Sequence, residues 1–588
     1  MTRLVRAALA LIVVLALAGC GGLSREGPVE PGREVGSGRP ADLRVTFPGP
    51  RDGESQESIV RGFVRAGAAS DAAYDNARAF LTAQVSEAWK PDVSLVLLAE
   101  AAPPATVLVN PATVRITAKV AATVDEEGRH TAAAPGSTVT ADFQLETVGG
   151  QWRIAALPEG FGRWIASTEV NRLVRPYAVH YVSTSQRALI PDVRWFPVDR
   201  LATRLARAQI LPLPEHLDGA AVTAVPSGAR LLGDAVSINS GVATVNLISS
   251  KLAPGQTTRQ NLWAQFVATL TQDPAVTRVS LSVDDVPVNL LTLDGSAGTL
   301  AEIGFIPPPP VTLAAPVVRR GEEVAVFDPS SLGDQEPREP ADQRAYPAVP
   351  AGFSRLALSA DGSEVAAINP GGDGISRWRD ANRYVVPLPG GAVGSPSYDR
   401  RGWLWVGAVG AGGAGAPRLF VVNTASDPAG GDAAAVAIEA AWLAGRRVLE
   451  ARVSPDGDRI AVLSTAADGR DARIDLTGIV RSRAGQPQRL ASPLRLGASL
   501  SRATSLAWLD ERTLTALGVL EGSMLQPVIV TVGGGVRALT AAPDAVAITS
   551  TGGERALWVT TSTGRLLGRA GSQWVDSGPA TDLAVASG

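Results

Sequence analysis

A chain of 588 residues with a single cysteine cannot brace itself with an internal disulfide, and it cannot assemble a thiolate metal site. Lysine is nearly as scarce. Of 54 basic residues only Lys90, Lys119 and Lys251 are lysines, a bias that, with the heavy use of Ala, Gly and Val, points to a GC-rich genome rather than to a binding surface. The three histidines, His130, His180 and His216, are far apart in sequence and form no HExxH pair, which removes the usual zinc-hydrolase pattern. Each is expected at a polar surface or strand end. A GxSxG nucleophile elbow is missing, and so is an SxxK pair, which argues against a serine hydrolase. A net charge of −3 and a pI near 5.9 give no general attraction to nucleic acid. Beyond the first 20 residues no apolar run reaches the roughly 20 residues of a membrane-spanning helix.

What is present begins with the lone cysteine. Arg3 and Arg6 are followed by an unbroken apolar stretch, Ala7 to Ala18, and then by Gly19-Cys20. A positive start, a short apolar run and small residues at the end have the grammar of a secretory signal. Leu17-Ala18-Gly19-Cys20 resembles the bacterial lipobox, against which stands only a secreted protein with an incidental cysteine. That resemblance implies cleavage after Gly19 and lipid on Cys20: diacylglycerol on sulfur and an acyl chain, such as palmitate, on the new amino terminus. Two or more acyl chains give stable attachment where one is marginal. Residues 1–19 are therefore expected to be a signal peptide, and the chain to be anchored on the extracytoplasmic face of the cell membrane. Residues 20–50, rich in Gly, Pro, Arg and Glu, read as a tether with roughly 30 Å of r.m.s. reach.

Three folded regions follow, so the fold class is multidomain: two α+β domains and then an all-β propeller. Over 51–170, "ESIVRGFVRAG" and "DAAYDNARAFL" carry apolar residues at helical spacing: Ile59, Val60, Phe63 and Val64, then Ala73, Ala77, Phe80 and Leu81. "VRITAKVAATV" alternates as a strand through Val114, Ile116, Val120 and Val124. "VTADFQLETVGGQWRIAAL" reads as a hairpin with Phe143 and Leu145 opposite Trp152 and Ile154. Helices before an antiparallel sheet resemble the cone-shaped fold of the nuclear transport factor two superfamily. Over 171–306, "YAVHYVS" is a strand and "LATRLARAQIL" a helix. The segment "RQNLWAQFVATL" puts Leu262, Phe266 and Leu270, beside Trp263 and Val267, on one helix face. The "VPSG" turn, the "ATVNL" strand and "QFVATLTQDPAVTRVSLSVD" resemble the GerMN domain of spore-germination and cell-envelope proteins.

After Pro307 to Pro310 the pattern changes. "LALSADGSEVAAI", "PSYDRRGWLWVGA", "ARVSPDGDRIAVLS", "LAWLDERTLTALGV" and "ITSTGGERALWVTT" repeat one strand–turn–strand unit at roughly blade spacing. Residues 307–588 are expected to form a β-propeller in preference to a sandwich, with a blade number the irregular spacing does not give. Seven of the twelve tryptophans fall here, as blade-to-blade packing requires. Gly410, Gly412 and Gly415 satisfy GxGxxG, but "APRLFVV" follows where a dinucleotide site needs a helix. Asp125-Glu126-Glu127-Gly128 and Asp468 to Asp471 lack the ligand alternation of a calcium loop and read as solvated turns. Asp361-Gly362 and Asp456-Gly457 read as hairpin turns. No cofactor or metal is expected.

Lipobox, α+β domain, GerMN-like domain and propeller, in that order, resemble the LpqB lipoprotein family of actinobacteria, as do "GESQESIVRGFVRAG" and "RALIPDVRWFP". The resemblance implies a non-enzymatic accessory that binds the ectodomain of an MtrB-type sensor histidine kinase and modulates MtrA–MtrB two-component signalling in envelope homeostasis and division. Its partners would be the membrane, through the lipid on Cys20, and the kinase, with no nucleic acid. The alternative is an envelope-glycan or small-ligand receptor using the GerMN cleft or the propeller channel.

Overall fold

The computed structural model describes residues 47–586 apart from 70–73, 102–103, 186–187, 234, 250–254, 291–292, 294, 306–313, 333–343, 381, 389–390, 410–415, 429 and 431–432. Cys20, the signal and most of the tether, Ala73, Lys251, the four prolines and the "GAGGAG" stretch lie outside the described residues.

The first domain rests on helix α1 (Gln56–Gly67). Ser55 caps it, accepting the Ser58 N–H at 3.3 Å, with Glu57 in the first turn and Arg65 in the last to match the helix dipole. Ile59, Val60, Phe63 and Val64 are buried as their spacing predicts. They face a sheet of β1 (Ser94–Leu98), β2 (Ala105–Asn110), β3 (Thr113–Asp125), β4 (His130–Ala132), β5 (Thr138–Val148), β6 (Gln151–Ala156) and β7 (Arg163–Ile165). Its order is β6-β5-β3-β1-β7, with β2 and β4 lying along the two halves of the long β3. Alternation along β3 buries Val114, Ile116, Ala118, Ala122 and Val124 on one face.

Three details differ from the sequence reading. The sheet is mixed, because β7 pairs with β1 in parallel. A bulge between Gln144 and Leu145 keeps Leu145 opposite Ile154 but sets Trp152 against Thr147 rather than Phe143. The second helix shrinks to Asp75–Arg78, since Tyr74 enters it in the left-handed region at φ 55°. Phe80 and Leu81 are buried nonetheless, and Leu81 bridges to Ile154.

The second domain has two sheets. One is β8 (Val174–Ser183) between β9 (Leu189–Pro197) and β10 (Ala221–Val222). The other joins β11 (Arg230–Leu231), β12 (Ser237–Asn239), β13 (Val242–Ile248), β14 (Arg278–Val283) and β15 (Val286–Pro287), with β13 and β14 parallel. Helices α2 (Leu201–Gln209) and α3 (Gln256–Leu270) complete it, and α3 packs against both β8 and β14. Leu262, Trp263, Phe266, Val267 and Leu270 are buried, and so are Gln265 and Thr269 on the flank the apolar pattern leaves out. Those two serve backbone and side-chain partners: Gln265 donates to the His180 carbonyl at 2.9 Å, and Thr269 donates to Gln209 at 2.6 Å. The β14–β15 turn places Asp284 and Asp285 at φ 50° and 63°, the double left-handed geometry of a tight hairpin.

Among the described residues the third domain is a propeller of six blades. Blades II to VI take their first strands from Ser354–Leu358, Ser397–Tyr398, Arg447–Val453, Leu500–Asp510 and Ala545–Ser550, each followed by its outer strands in order. Those five first hairpins are the five repeats seen in the sequence. Blade I is composite: Asp582–Ala584 lies innermost, paired with Val317–Arg320, which pairs in turn with Glu323–Val326. Both ends of the domain thus close one ring. At the turns, Gly362 and Gly457 take the positive φ, at 69° and 77°. The aspartates beside them do more than turn. Asp361 and Asp456 accept backbone N–H groups, and Asp456 is buried against Arg459 at 2.5 Å.

Candidate functional site at the junction of three domains

Strand β9 carries "LIPDVRWFP", a run with no clean alternation because both of its faces and its flank are covered. Over nine residues it pairs with β8 in unbroken antiparallel register. Asp192 and Arg194 point the same way along the strand, and both are buried. Arg194 Nε donates to Asp192 Oδ2 at 2.8 Å and Nη2 to the Tyr181 hydroxyl at 3.3 Å. Burial works against the guanidinium charge, but Asp192 and Tyr181 more than restore it, so its pKa is raised.

The first domain meets this strand through the Asp125–Gly128 turn. Arg194 Nη1 donates to the Glu127 carbonyl at 3.3 Å, and the Trp195 N–H donates to the Gly128 carbonyl at 2.7 Å. Gly128 sits at φ 81°, and a Cβ there would lie 2.7 Å from the Phe196 ring, so the approach requires glycine. The turn read as solvated is an interdomain contact. A second bridge lies beside it: Asp92 accepts from Arg163 at 2.8 Å and pairs with Arg204 of α2 at 2.7 Å, while Arg204 also reaches Asp199 at 2.9 Å.

The propeller grips the same strand from the other side. Arg459 donates to the Pro191 carbonyl at 3.0 Å, and its remaining nitrogens go to Asp456 and the Glu511 carbonyl. Val193 joins an apolar cluster made otherwise of propeller residues, among them Leu463, Leu476 and Val530. Trp195 Nε1 donates to the Gly533 carbonyl at 2.5 Å. At the rim, Ser185 donates to Asp458 at 2.7 Å, and Arg401 holds both, at 2.6 and 2.7 Å.

The three histidines lie along β9: His130 begins strand β4, as the strand-end reading expects, whereas His180 is mid-strand in β8 and His216 is buried in the short turn Glu215–Leu217, away from the polar surface. His130 stacks on Trp195 with ring centroids 5.1 Å apart, His180 lies opposite Pro191 in the strand register, and His216 Nε2 is 3.6 Å from Asp192 Oδ1. Burial pushes their pKa values down to about 4, 3 and 4 respectively, with nearby arginines adding to the effect at His180 and His216. They are neutral packing groups in the neutral range. Sequence spacing carries no sign of this, because each histidine reaches β9 from a different element.

The cavities are small. The propeller axis encloses about 80 Å³, the space of a few waters. Its charged groups are spoken for: Glu450 accepts from the Leu506 N–H at 2.9 Å and from Arg452 at 3.2 Å, and Asp582 accepts from the Leu356 N–H at 3.3 Å. A groove of about 230 Å³ beside α3, lined by Leu262, Val286, Pro287 and Arg259 among others, lies below the roughly 300 Å³ of ordinary ligand pockets. Among the described residues no group of three or more His, Cys, Asp or Glu side chains is placed to hold a metal ion. No helix among them is long and apolar enough to cross a membrane.

Comparison with known proteins follows the same three-part division. Residues 49–171 match the family model "Lipoprotein LpqB, N-terminal domain", 178–289 match "Sporulation and spore germination", and 345–584 match "Lipoprotein LpqB beta-propeller domain". The chain belongs to the LpqB lipoprotein family. Lipoprotein LpqB of Thermobifida fusca is 27% identical over 592 residues, 90% of each chain. LpqB of Nocardia farcinica is 26% identical, covering 91% of this chain and 90% of its own. LpqB of Mycobacterium bovis (strain BCG) is 24% identical, covering 86% and 85%. Likeness to solved structures is slight: regucalcin of Agrobacterium tumefaciens covers 40% of this chain and 74% of its own at 12% identity, with a TM-score of 0.27.

Proposed function

We propose that the chain is a non-enzymatic lipoprotein held on the extracytoplasmic face of the cell membrane by lipid on Cys20, and that it binds the ectodomain of an MtrB-type sensor kinase and tunes its signalling. The observation that carries this reading is the junction itself. Buried ion pairs and aromatic contacts around β9 join three binding-type folds into one body, which offers a wide surface to a protein and little room for a substrate. A tethered protein meets steadily only what projects from the same membrane, and confinement raises the effective concentration of such a partner. A micromolar contact would then be well occupied. The glycan-receptor reading draws on the groove of about 230 Å³ beside α3.

The test is a titration of residues 21–588 with the purified kinase ectodomain. Saturable binding in the micromolar range is expected, without turnover of model esters, peptides or glycans. No saturable signal up to about 1 mM, roughly −4 kcal/mol, would overturn direct binding.

A further inference from the structure

Strand β2 has no charged residue: it reads Ala-Thr-Val-Leu-Val-Asn from Ala105 to Asn110. Val107, Leu108 and Val109 are consecutive and 61%, 41% and 48% exposed, so apolar side chains reach solvent on both faces even though α1 packs against the start of the strand. One edge pairs with β3, and no other described strand pairs with the second. At the same end of the sheet Val148, beside the Gly149-Gly150 turn, is 49% exposed. An uncharged apolar edge of this kind is a liability that proteins usually blunt with charge or cover.

Three observations bear on what covers it. The chain arrives along this end of the domain: the Gly53 N–H donates to Gln151 at 2.8 Å, and Gln56 donates to the Pro111 carbonyl at the β2–β3 turn. Only 26 residues separate Cys20 from Phe47, at most about 90 Å even when fully extended, so an anchored chain keeps this end within reach of the bilayer. Finally, a strand docked by a partner strand presents alternate side chains to different surroundings. Here Val107 and Leu108, on opposite faces, and Val109 in the bulge that follows are alike, which suits a medium that is apolar all round. Arg61, hydrogen-bonded to Thr106 at 2.9 Å and to Ser58, sets a cation at the base of the strand where anionic headgroups would lie.

We propose that the β2–β3 hairpin is a shallow membrane-contact element, with Val107, Leu108 and Val109 immersed at the interface of the leaflet that carries the Cys20 lipid. Contact is confined to that interface, because an open strand edge cannot enter hydrocarbon without leaving its backbone groups unpaired. The hairpin then fixes which way the three-domain body faces the membrane. This inference rests on the lipid-anchor reading, and the experiment separates the two.

Lipid consumes the only native thiol, so Leu108→Cys supplies a unique site for an environment-sensitive dye in the full lipidated chain. Met524→Cys, on the propeller surface, is the control, being 70% exposed in the same body. Reconstituted in phosphatidylcholine–phosphatidylglycerol vesicles with nitroxide-labelled acyl chains, the dye at position 108 should be quenched at least twofold more than the dye at 524. Adding Val107→Asp and Val109→Asp should abolish the difference without releasing the protein from the vesicles. Equal quenching at 108 and 524 would overturn the proposal. So would protection at 108 that appears only on adding the kinase ectodomain, which would assign the strand to a protein partner. The anchor reading fails separately, if Cys20→Ser leaves processing and membrane retention unchanged.

Discussion

Trp195 and Gly533 stand 338 residues apart in the chain, yet the indole N–H of the first meets the carbonyl of the second at 2.5 Å. On its other side the same ring stacks against His130 of the first domain. One side chain therefore touches all three domains.

Trp195→Phe keeps much of the ring and removes the donor, leaving the Gly533 carbonyl short of a partner at a cost of about 1–3 kcal/mol. Trp195→Ala should cost about 3–5 kcal/mol. Calorimetry is expected to show one cooperative transition in the parent chain and a split profile in Trp195→Ala, as the propeller uncouples from the other domains. A single transition at an unchanged temperature would show that the domains do not share stability through this ring.

Arg194→Met tests the buried ion pair. The methionine fills much of the space but leaves Asp192 charged in a site from which water is excluded. Removing one partner of such a pair costs about 3–5 kcal/mol. Urea denaturation should show that loss, and the double variant Arg194→Met with Asp192→Leu should recover most of it. Failure of the double variant to recover would mean that the pair is needed for its hydrogen bonds to Tyr181 and Glu127 rather than for its charge balance.

The junction should also be sensitive to acid. His130 and His216 have pKa values near 4 in the folded chain against 6.5 for a free histidine. Asp192 faces His216 and favours its protonated form, whereas Arg459, Arg194 and Arg129 oppose it. Between pH 6.5 and 4 the unfolded chain binds these protons and the folded chain does not. Stability is therefore fully present above about pH 6.5 and falls as pH drops toward 4, by up to about 1.4 kcal/mol per pH unit for each histidine. Thermal melts from pH 7.5 to 4.5 should show this slope, and His216→Gln should lessen it by one histidine's share while His130 and His180 keep theirs. A melting temperature constant from pH 7 to 5 would contradict the burial of these rings.

Much of this was legible in the sequence, and the exceptions share a cause. Strand alternation in β3, the apolar faces of α1 and α3 and the five propeller hairpins all depend on contacts within a few dozen residues, which periodicity records. Blade I left no repeat to find, because Val317–Arg320 and Asp582–Ala584 come from opposite ends of the domain. The tether between Arg459 and Pro191 spans 268 positions, and no local pattern encodes it. "RALIPDVRWFP" stood out as a family likeness, but its strand has buried charge and broken alternation, so its role at the junction showed only when its neighbours were in place. The Asp125–Gly128 turn is a turn with Asp125 and Glu126 in solvent, as read, but its Glu127 and Gly128 carbonyls also carry an interdomain contact, and composition says nothing about carbonyls.

The composite blade has a consequence for the order in which the propeller folds. Val317 pairs with Ala584, so the propeller has no closed ring until residues 582–584 have been made and have folded back. While the more than 260 intervening residues are made, Val317–Arg320 and the flank of blade II lack their neighbour and stay open to proteases and to wrong pairing. Ring closure is a late event joining distant segments, the class of contact that slows folding most. The time between the arrival of residue 317 and that of residue 584 is when proteases and chaperones can act on this chain.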